Sequence, residues 1–266
     1  MITTVLTDSP HSSSVPYSGI VDTVTSLRLV PLLMAQVHLV FDGAPVPNKT
    51  AGFHWKCKLA ADAEAYSAYK AAARQAIARL PSLLAPKSLT TFELPARACL
   101  SGAVRAGVVN ATTPFVAVIQ NDLPLRRFLD LPSLLELMTK HPQVQKVSFS
   151  AGYNGCYMRA AFTVCRGHRH LPVPPASNAS QVNYDIPLTP VMFWFDGNHI
   201  ASASHYRRVY SAVPDGVFME SLLFCKPWLN HSAWGTYLLG DNKDGRYSSH
   251  TNARNQSFKS NPCMIA

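Results

Sequence analysis

The chain is short of acid and short of long apolar runs. Asp and Glu total 15 against 24 Lys and Arg, a formal charge of +9 on 266 residues, and charged side chains make up only 15% of the sequence. No stretch reaches the roughly 18 consecutive apolar residues that a membrane helix needs. The opening "MITTVLTDSP" has neither the basic n-region nor the apolar h-region of a cleavable signal. The expectation is a soluble, cytoplasmic protein without a membrane span, the secretory pathway staying open if the chain is a domain of a longer one. Its 47% hydrophobic content is enough for a sizeable core.

Several chemical signatures are missing too. There is no GxSxG elbow, no GxxxxGK phosphate loop, no HExxH pair and no GxGxxG after the first predicted strand, so the common serine hydrolase, P-loop, zinc protease and dinucleotide-binding patterns have no support. The six cysteines, Cys57, Cys99, Cys156, Cys165, Cys225 and Cys263, contain no CxxC, and free buried thiols are expected. Cys156, Cys165, His168 and His170 can be drawn as a zinc site, but their spacing fits no standard module. The basic residues are scattered: Arg126-Arg127, Arg207-Arg208 and the group Arg166, His168, Arg169, His170 lie far apart, with no aromatic interleaving. That pattern favours an anionic small partner such as a nucleotide diphosphate, and no nucleic acid is expected. Five N-x-S/T sequons are present, at Asn48, Asn110, Asn178, Asn230 and Asn255. Asn110 leads straight into an apolar strand and is expected to be buried.

What is there alternates. "ITTVLTDSP" reads as a β-branched strand ending at Asp8-Ser9-Pro10, a helix follows from Tyr17 to about Leu29, and "AQVHLVFDG" gives a second strand stopped by Asp42-Gly43. In "ADAEAYSAYKAAARQAIARL" the residues Tyr66, Tyr69, Ala73, Ile77 and Leu80 line one helical face. A third strand starts at Leu89, and the helix "ACLSGAVRAGVVNA" turns Val104, Val108 and Ala111 inward. A fourth strand runs from Thr113 to Ile119. A helix capped by Asp130 and a fifth strand from Val144 complete the regular part. Strands and helices in this order predict an α/β sandwich, a mostly parallel sheet between helices. After Ser150 the chain turns rich in Gly, Pro, Ser and Asn. A strand is expected at Tyr157 to Val164 and a long loop from about Arg166 to Asn183, then "VMFWFDGNHI", two short helices in "SASHYRRVYS" and "GVFMESLLFCK", and a turn-rich tail.

Three predicted strands end in an acid, Asp8, Asp42 and Asp122. In an open parallel sheet ligands bind beyond the carboxyl ends of the strands, where helix N-termini also face anions. Carboxylates there can meet a base or ribose, or hold a divalent cation against a diphosphate. Each also has a local alternative: Asp8 as a helix cap, Asp42-Gly43 as a turn, Asp122 as a cap of the turn into Leu123-Pro124.

The ordered set "SSVPYSGIVDTVTSLRL", "VHLVFDG" and "SGAVRAGVVNATTPFVAVIQND" resembles the GT-A-type (Rossmann-like) glycosyltransferases that use nucleotide-diphosphate sugars, in particular the family-two-like ones. The resemblance covers residues 1 to 150 in order and is looser to about 250. It implies one domain over residues 1–266, with a nucleotide-sugar-binding half to residue 150 and an acceptor-binding half over 151–266. It also implies that Asp8 and Asp42 contact the nucleoside, that Arg105 faces the nucleotide or pyrophosphate, and that Gln120 meets ribose or sugar hydroxyls, with Ser9 and Asn121 among the residues that bind the nucleotide sugar. Asp122 would then coordinate Mg or Mn, with His250 a further metal or phosphate contact. This sequence has Gln120-Asn121-Asp122 where the family carries a DxD motif, and an amide is a poor metal ligand.

Inverting transfer requires a carboxylate to take the proton of the acceptor hydroxyl. Glu220 in "FMES" is the first candidate and Asp196 in "FWFDGNH" the second. Trp194, Phe195, Asn198 and His199 fit either a sugar-binding wall or a core edge. The competing readings are a catalytically degenerate domain that binds a carbohydrate or a protein partner, and a sugar nucleotidyltransferase. The second lacks the glycine-rich, Lys- or Arg-bearing loop that such enzymes carry after the first strand.

Overall fold

Residues 115–119 are apolar on both sides of the chain, so a strand made of them needs cover on both faces. The computed structural model, which describes residues 18–30, 37–43, 63–79, 89–121, 123–150, 185–239 and Tyr247, supplies that cover. The first half runs α1 (Ser18–Ser26) with a 3-10 turn at Leu27–Leu29, β1 (Val37–Phe41), α2 (Ala63–Ala78), β2 (Leu89–Glu93), α3 (Cys99–Val109), β3 (Phe115–Val118), α4 (Leu131–Lys140) and β4 (Lys146–Phe149). Then come β5 (Leu188–Pro190), β6 (His199–Ser202), α5 (Ala203–Ser211), α6 (Met219–Leu223), α7 (Lys226–Leu229), α8 (His231–Trp234) and β7 (Thr236–Leu239). The predicted strand before Asp8 and the one at Tyr157 to Val164 lie outside the described residues.

β1 and β2 pair in parallel, Val37 opposite Leu89 through Phe41 opposite Glu93. The larger sheet has the order β3-β6-β4-β7-β5. In it β4 and β7 are parallel, whereas β6 is antiparallel to both β3 and β4, and β5 is antiparallel to β7. The α/β class stands, and the sheet is mixed rather than mostly parallel. The reason is one of adjacency. β3 and β4 run the same way, joined by a helical crossover as their sequence predicts, but they leave a one-strand gap that β6 fills from the other direction. Strands from either side of residue 150 therefore interleave in one sheet.

Alternation along β3 sorts the two faces. Ala117 and Ile119 pack with Leu131, Leu134, Leu137 and Met138 of α4. Val116 and Val118 pack with Leu100, Val104 and Val108 of α3 and with Tyr206 and Tyr210 of α5. A third cluster joins Tyr66, Tyr69, Ala73 and Ile77 of α2 to Ile20 and Val24 of α1 and to Leu39 and Phe41 of β1, the face that the alanine-rich helix was expected to bury. Asp130 caps α4 as predicted, its Oδ1 accepting from the Ser133 N–H at 3.3 Å.

The layers predict a ranking of two substitutions. Leu134, fully buried, should cost about 2–5 kcal/mol on Leu134→Ala. The exposed cap should cost about 1 kcal/mol on Asp130→Ala. Urea unfolding of both variants checks the order, and a smaller loss at Leu134 would contradict the layer assigned to α4.

Candidate functional site

The antiparallel direction of β6 builds the site. Because it runs against β3 and β4, its first residue, His199, lies opposite Val118 near the end of β3 and Ser148 near the end of β4. The turn Asp196-Gly197-Asn198 that leads into β6 therefore sits at the rim where those two strands finish. Asn198 stitches it there, its Oδ1 accepting from the Gln120 N–H at 2.9 Å and its Nδ2 donating to the Leu123 carbonyl. The Gln120 side-chain amide in turn donates to the Asp196 carbonyl at 2.8 Å.

Asp196 and Glu220, the two carboxylates read as candidate bases, come together here. Asp196 is 4% exposed. Its Oδ1 accepts from Trp194 Nε1 at 2.6 Å and its Oδ2 from the Glu220 N–H at 2.8 Å. The second bond ties the turn to the first turn of α6, where an acid is also favoured by the helix dipole. Glu220 itself is only half-buried. The Asp196 carboxylate is thus held by donors inside the protein, and Glu220 is tied to it through its backbone.

Beneath them lies a cation that the sequence reading passed over. Lys146, the first residue of β4, is 1% exposed. Its amine donates to the Phe195 carbonyl and to Ser148 Oγ at 3.2 Å, and stands 4.4 Å from the centroid of the Trp194 ring. Burial drives it down to about 7, while the carboxylates of Asp196 and Glu220 pull the other way. Nothing in "VQKVSFS" announces this, because a lysine beginning a strand ordinarily points to water.

His199 and Tyr206 extend the network. A carbonyl only accepts, so the bond to the Gly197 carbonyl places the proton on Nδ1 of His199, and Nε2 accepts from the Tyr206 hydroxyl. Burial holds the imidazole well below its ordinary range and the phenol well above it, so both are neutral. Trp194, Phe195, Asn198 and His199 are all buried. Of the two readings offered for them, core edge and sugar-binding wall, the structure takes the first.

The other predicted contacts divide. Asp42 is 2% exposed, and its carboxylate is filled by backbone: Oδ1 accepts from Gly43 N at 2.9 Å and Ala98 N at 2.7 Å, Oδ2 from Cys99 N at 3.1 Å. It locks the end of β1 to the start of α3, where Cys99 holds a left-handed φ of 64°. A side chain on Gly43 would lie 2.1 Å from the Ala96 carbonyl carbon, so this junction needs glycine. Burial raises the Asp42 carboxyl, and the three amides and Arg97 oppose the rise. The turn alternative thus accounts for all three of these hydrogen bonds.

Arg105 donates to the Val213 carbonyl at 2.7 Å and pairs with Asp215, tying α3 to the loop after α5. Asn121 accepts from Thr23 Oγ1 through its backbone carbonyl at 2.8 Å. Asp8, Ser9, Asp122 and His250 lie outside the described residues, as do Cys156, Cys165, His168 and His170. Among the described residues no group of three His, Cys, Asp or Glu side chains is placed to hold a metal ion, and none of their helices is long and apolar enough to cross a membrane.

Two sequence expectations are corrected. Cys99 and Cys225 are disulfide-bonded, not free thiols. Asn110 is exposed, because it closes α3 in a turn and the strand begins only at Phe115.

A cavity of about 590 Å³ lies behind α6, lined by His205, Val209, Leu222, Leu223 and Trp234 with Arg208 and Lys226 among the cationic residues. Arg208 donates to His205 Nδ1 at 2.9 Å, so the proton sits on Nε2, which is buried without a hydrogen-bond partner among the described residues.

No protein-family model matches the sequence, and no curated protein is significantly similar to it. Solved structures do resemble the fold. S. aureus TarS 1–349 in complex with UDP-GlcNAc aligns at 12% identity with a TM-score of 0.50, over 94% of this chain and 57% of that one. UDP-glucose pyrophosphorylase from Acinetobacter baumanii aligns at 9% identity and 0.42, over 90% and 85%. Mouse xyloside xylosyltransferase 1 aligns at 9% and 0.39, over 90% and 84%. The chain spans a little over half the length of the TarS structure. At 12% identity the TarS likeness speaks for the fold alone, an α/β fold of GT-A type.

The buried amine carries a pH signature. The lysine has an ordinary value of 10.5 in the unfolded chain and about 7 in the folded one. Between these values the unfolded state binds the extra proton, so stability gains as pH rises through that window and is flat below it. Unfolding free energies of the parent minus those of Lys146→Met should climb from pH 7 toward pH 10 and level off on the acid side. A difference that does not change with pH would mean that the amine stays charged in the fold.

Proposed function

We propose that this protein transfers a sugar from a nucleotide-diphosphate donor to an acceptor hydroxyl with inversion, Glu220 acting as the base. The observation that carries the reading is the clamp at the rim, in which the Asp196 carboxylate fixes the backbone of Glu220 beside the ends of β3 and β4. In open α/β sheets that edge is where ligands sit. The likeness to a structure that contains UDP-GlcNAc supports the same class of donor, and the order of the N-terminal segments supports it independently.

The half-buried Glu220 is the better base of the two. A general base needs a lone pair facing the acceptor oxygen. Asp196 gives one oxygen to an indole and the other to a backbone amide, so its part is to orient, while Glu220 is carried within reach of solvent. As the acceptor oxygen attacks the anomeric carbon, its proton passes to the Glu220 carboxylate, the bond to the diphosphate breaks, and the electron pair leaves with the diphosphate. Lys146 lies close enough to Asp196 and Glu220 for their carboxylates to oppose the fall that burial imposes on its amine.

A divalent cation, Mn or Mg, belongs to the proposal through Asp122 and His250. The described neighbours of Asp122 offer amides, and Gln120 has turned its amide toward Asp196, so this part of the rim does not fit a metal by itself. No step is derived through one. The same amides favour the second reading, a domain that binds a nucleotide sugar without turnover.

Glu220→Gln separates the two readings. With UDP- or GDP-linked sugars as donors, transfer and donor hydrolysis should fall by about 10²–10⁴-fold, while thermal stabilisation by the nucleotide sugar with Mn present persists. Full turnover in the variant would remove Glu220 from the base role. No thermal shift of the parent protein with any nucleotide sugar, with or without metal, would end the donor assignment.

A further inference from the structure

We propose that Asn110 and Asn230 carry N-linked glycans and that the chain matures in an oxidising secretory compartment. This does not rest on the transferase reading. It rests on two findings that depart from the sequence expectation in the same direction: an exposed sequon asparagine and oxidised cysteines.

Asn110, Ala111 and Thr112 form one sequon, and Asn230, His231 and Ser232 another. A glycan is bulky and hydrophilic, so a folded chain tolerates it only where the amide nitrogen faces water. Both asparagines are exposed. Asn110 closes α3 and its Nδ2 donates to the Ala106 carbonyl at 2.8 Å. A primary amide has two hydrogens there, and a sugar on Nδ2 replaces only one. Asn230 caps α8 through Oδ1, which accepts from the Ala233 N–H at 3.1 Å and from Ser232 Oγ at 2.8 Å. The cap occupies the oxygen and leaves the nitrogen for the sugar.

The surface around each site supports the assignment. Four large hydrophobic residues are exposed among those described, Val109, Phe128, Leu222 and Leu229. Val109, at 67% exposure, immediately precedes Asn110, and Leu229, at 50%, immediately precedes Asn230. A glycan rooted on the next residue shields each from water and from other chains. That gives a reason for apolar side chains at two positions where none is packed.

The cysteines say which compartment supplies the chemistry. Cys99 and Cys225 are both disulfide-bonded. Disulfides persist in secretory and extracellular environments and are rare in the cytosol, which displaces the cytoplasmic expectation. Each bond gives up two protons and two electrons, which an oxidised dithiol carrier of that compartment accepts. In the glycosylation step Nδ2 displaces the diphosphate of a lipid-linked oligosaccharide at the anomeric carbon. One N–C bond forms, one C–O bond breaks, and an amide proton is lost as the lipid diphosphate leaves.

The test is peptide mapping of the full chain purified from its native cells, after alkylation without reductant and enzymatic deglycosylation in heavy-oxygen water. The expected result is conversion of Asn110 and Asn230 to labelled aspartate, with Cys99 and Cys225 unalkylated. Unmodified asparagine at both positions, or alkylated Cys99 and Cys225, would overturn the proposal. In a secreting eukaryotic host the parent should lose mobility steps on glycosidase treatment. Thr112→Ala, which spares the bond from Asn110 to Ala106, and Ser232→Ala should each remove one step. A pattern unchanged in both variants would likewise overturn it.

Discussion

The site depends on one buried carboxylate. Asp196 sits almost entirely out of water, where an ionised acid costs several kcal/mol unless its charge is met. It is met three ways: by the Trp194 indole N–H, by the Glu220 backbone N–H, and by the amine of Lys146 below. These partners come from three places in the chain, the loop before β6, the start of α6 and the start of β4. Satisfying one charge therefore fixes three elements relative to each other. Lys146 needs the same cluster, since an amine as deeply buried loses its proton more easily the less negative charge surrounds it.

The rim was partly legible in the sequence. The strand through Val118, the acid at Asp196 and the acid at Glu220 could all be read as chemistry-bearing, and the structure joins Gln120, Asp196 and Glu220 by a chain of hydrogen bonds. What could not be read was the route. Apolar periodicity shows where strands lie and says nothing of which strand fills the gap between β3 and β4. The arrival of β6 between them is a long-range fact, and it is what brings a residue near 196 to the end of a strand near 118. Lys146 was missed for a similar reason. A lysine signals burial only through the partners that tertiary structure provides, and those lie some 50 residues away at Phe195 and Asp196.

Local chemistry was read better than its meaning. The strand-terminal acid at Asp42 was noticed because acids at strand ends recur in this chain. In the fold that carboxylate answers to the first N–H groups of α3, a helix whose own N-cap residue, Ala98, makes no side-chain cap. Gly43 and the left-handed Cys99 let those amides converge, and a converging set of backbone N–H groups accepts a carboxylate of the protein as readily as one from a ligand. The same sequence signal has two physical outcomes, and the number of internal donors decides between them.

Burial orders the two acids of the candidate site. Asp42 has three backbone donors and Asp196 has an indole and an amide, so both spend their charge on architecture. Glu220 lends its backbone N–H to the cluster and is itself half-buried. The Glu220 main chain is therefore held by Asp196, and the residue as a whole is half-buried. Under the proposed base role, pinning the Glu220 backbone would reduce the ordering cost at the moment of binding.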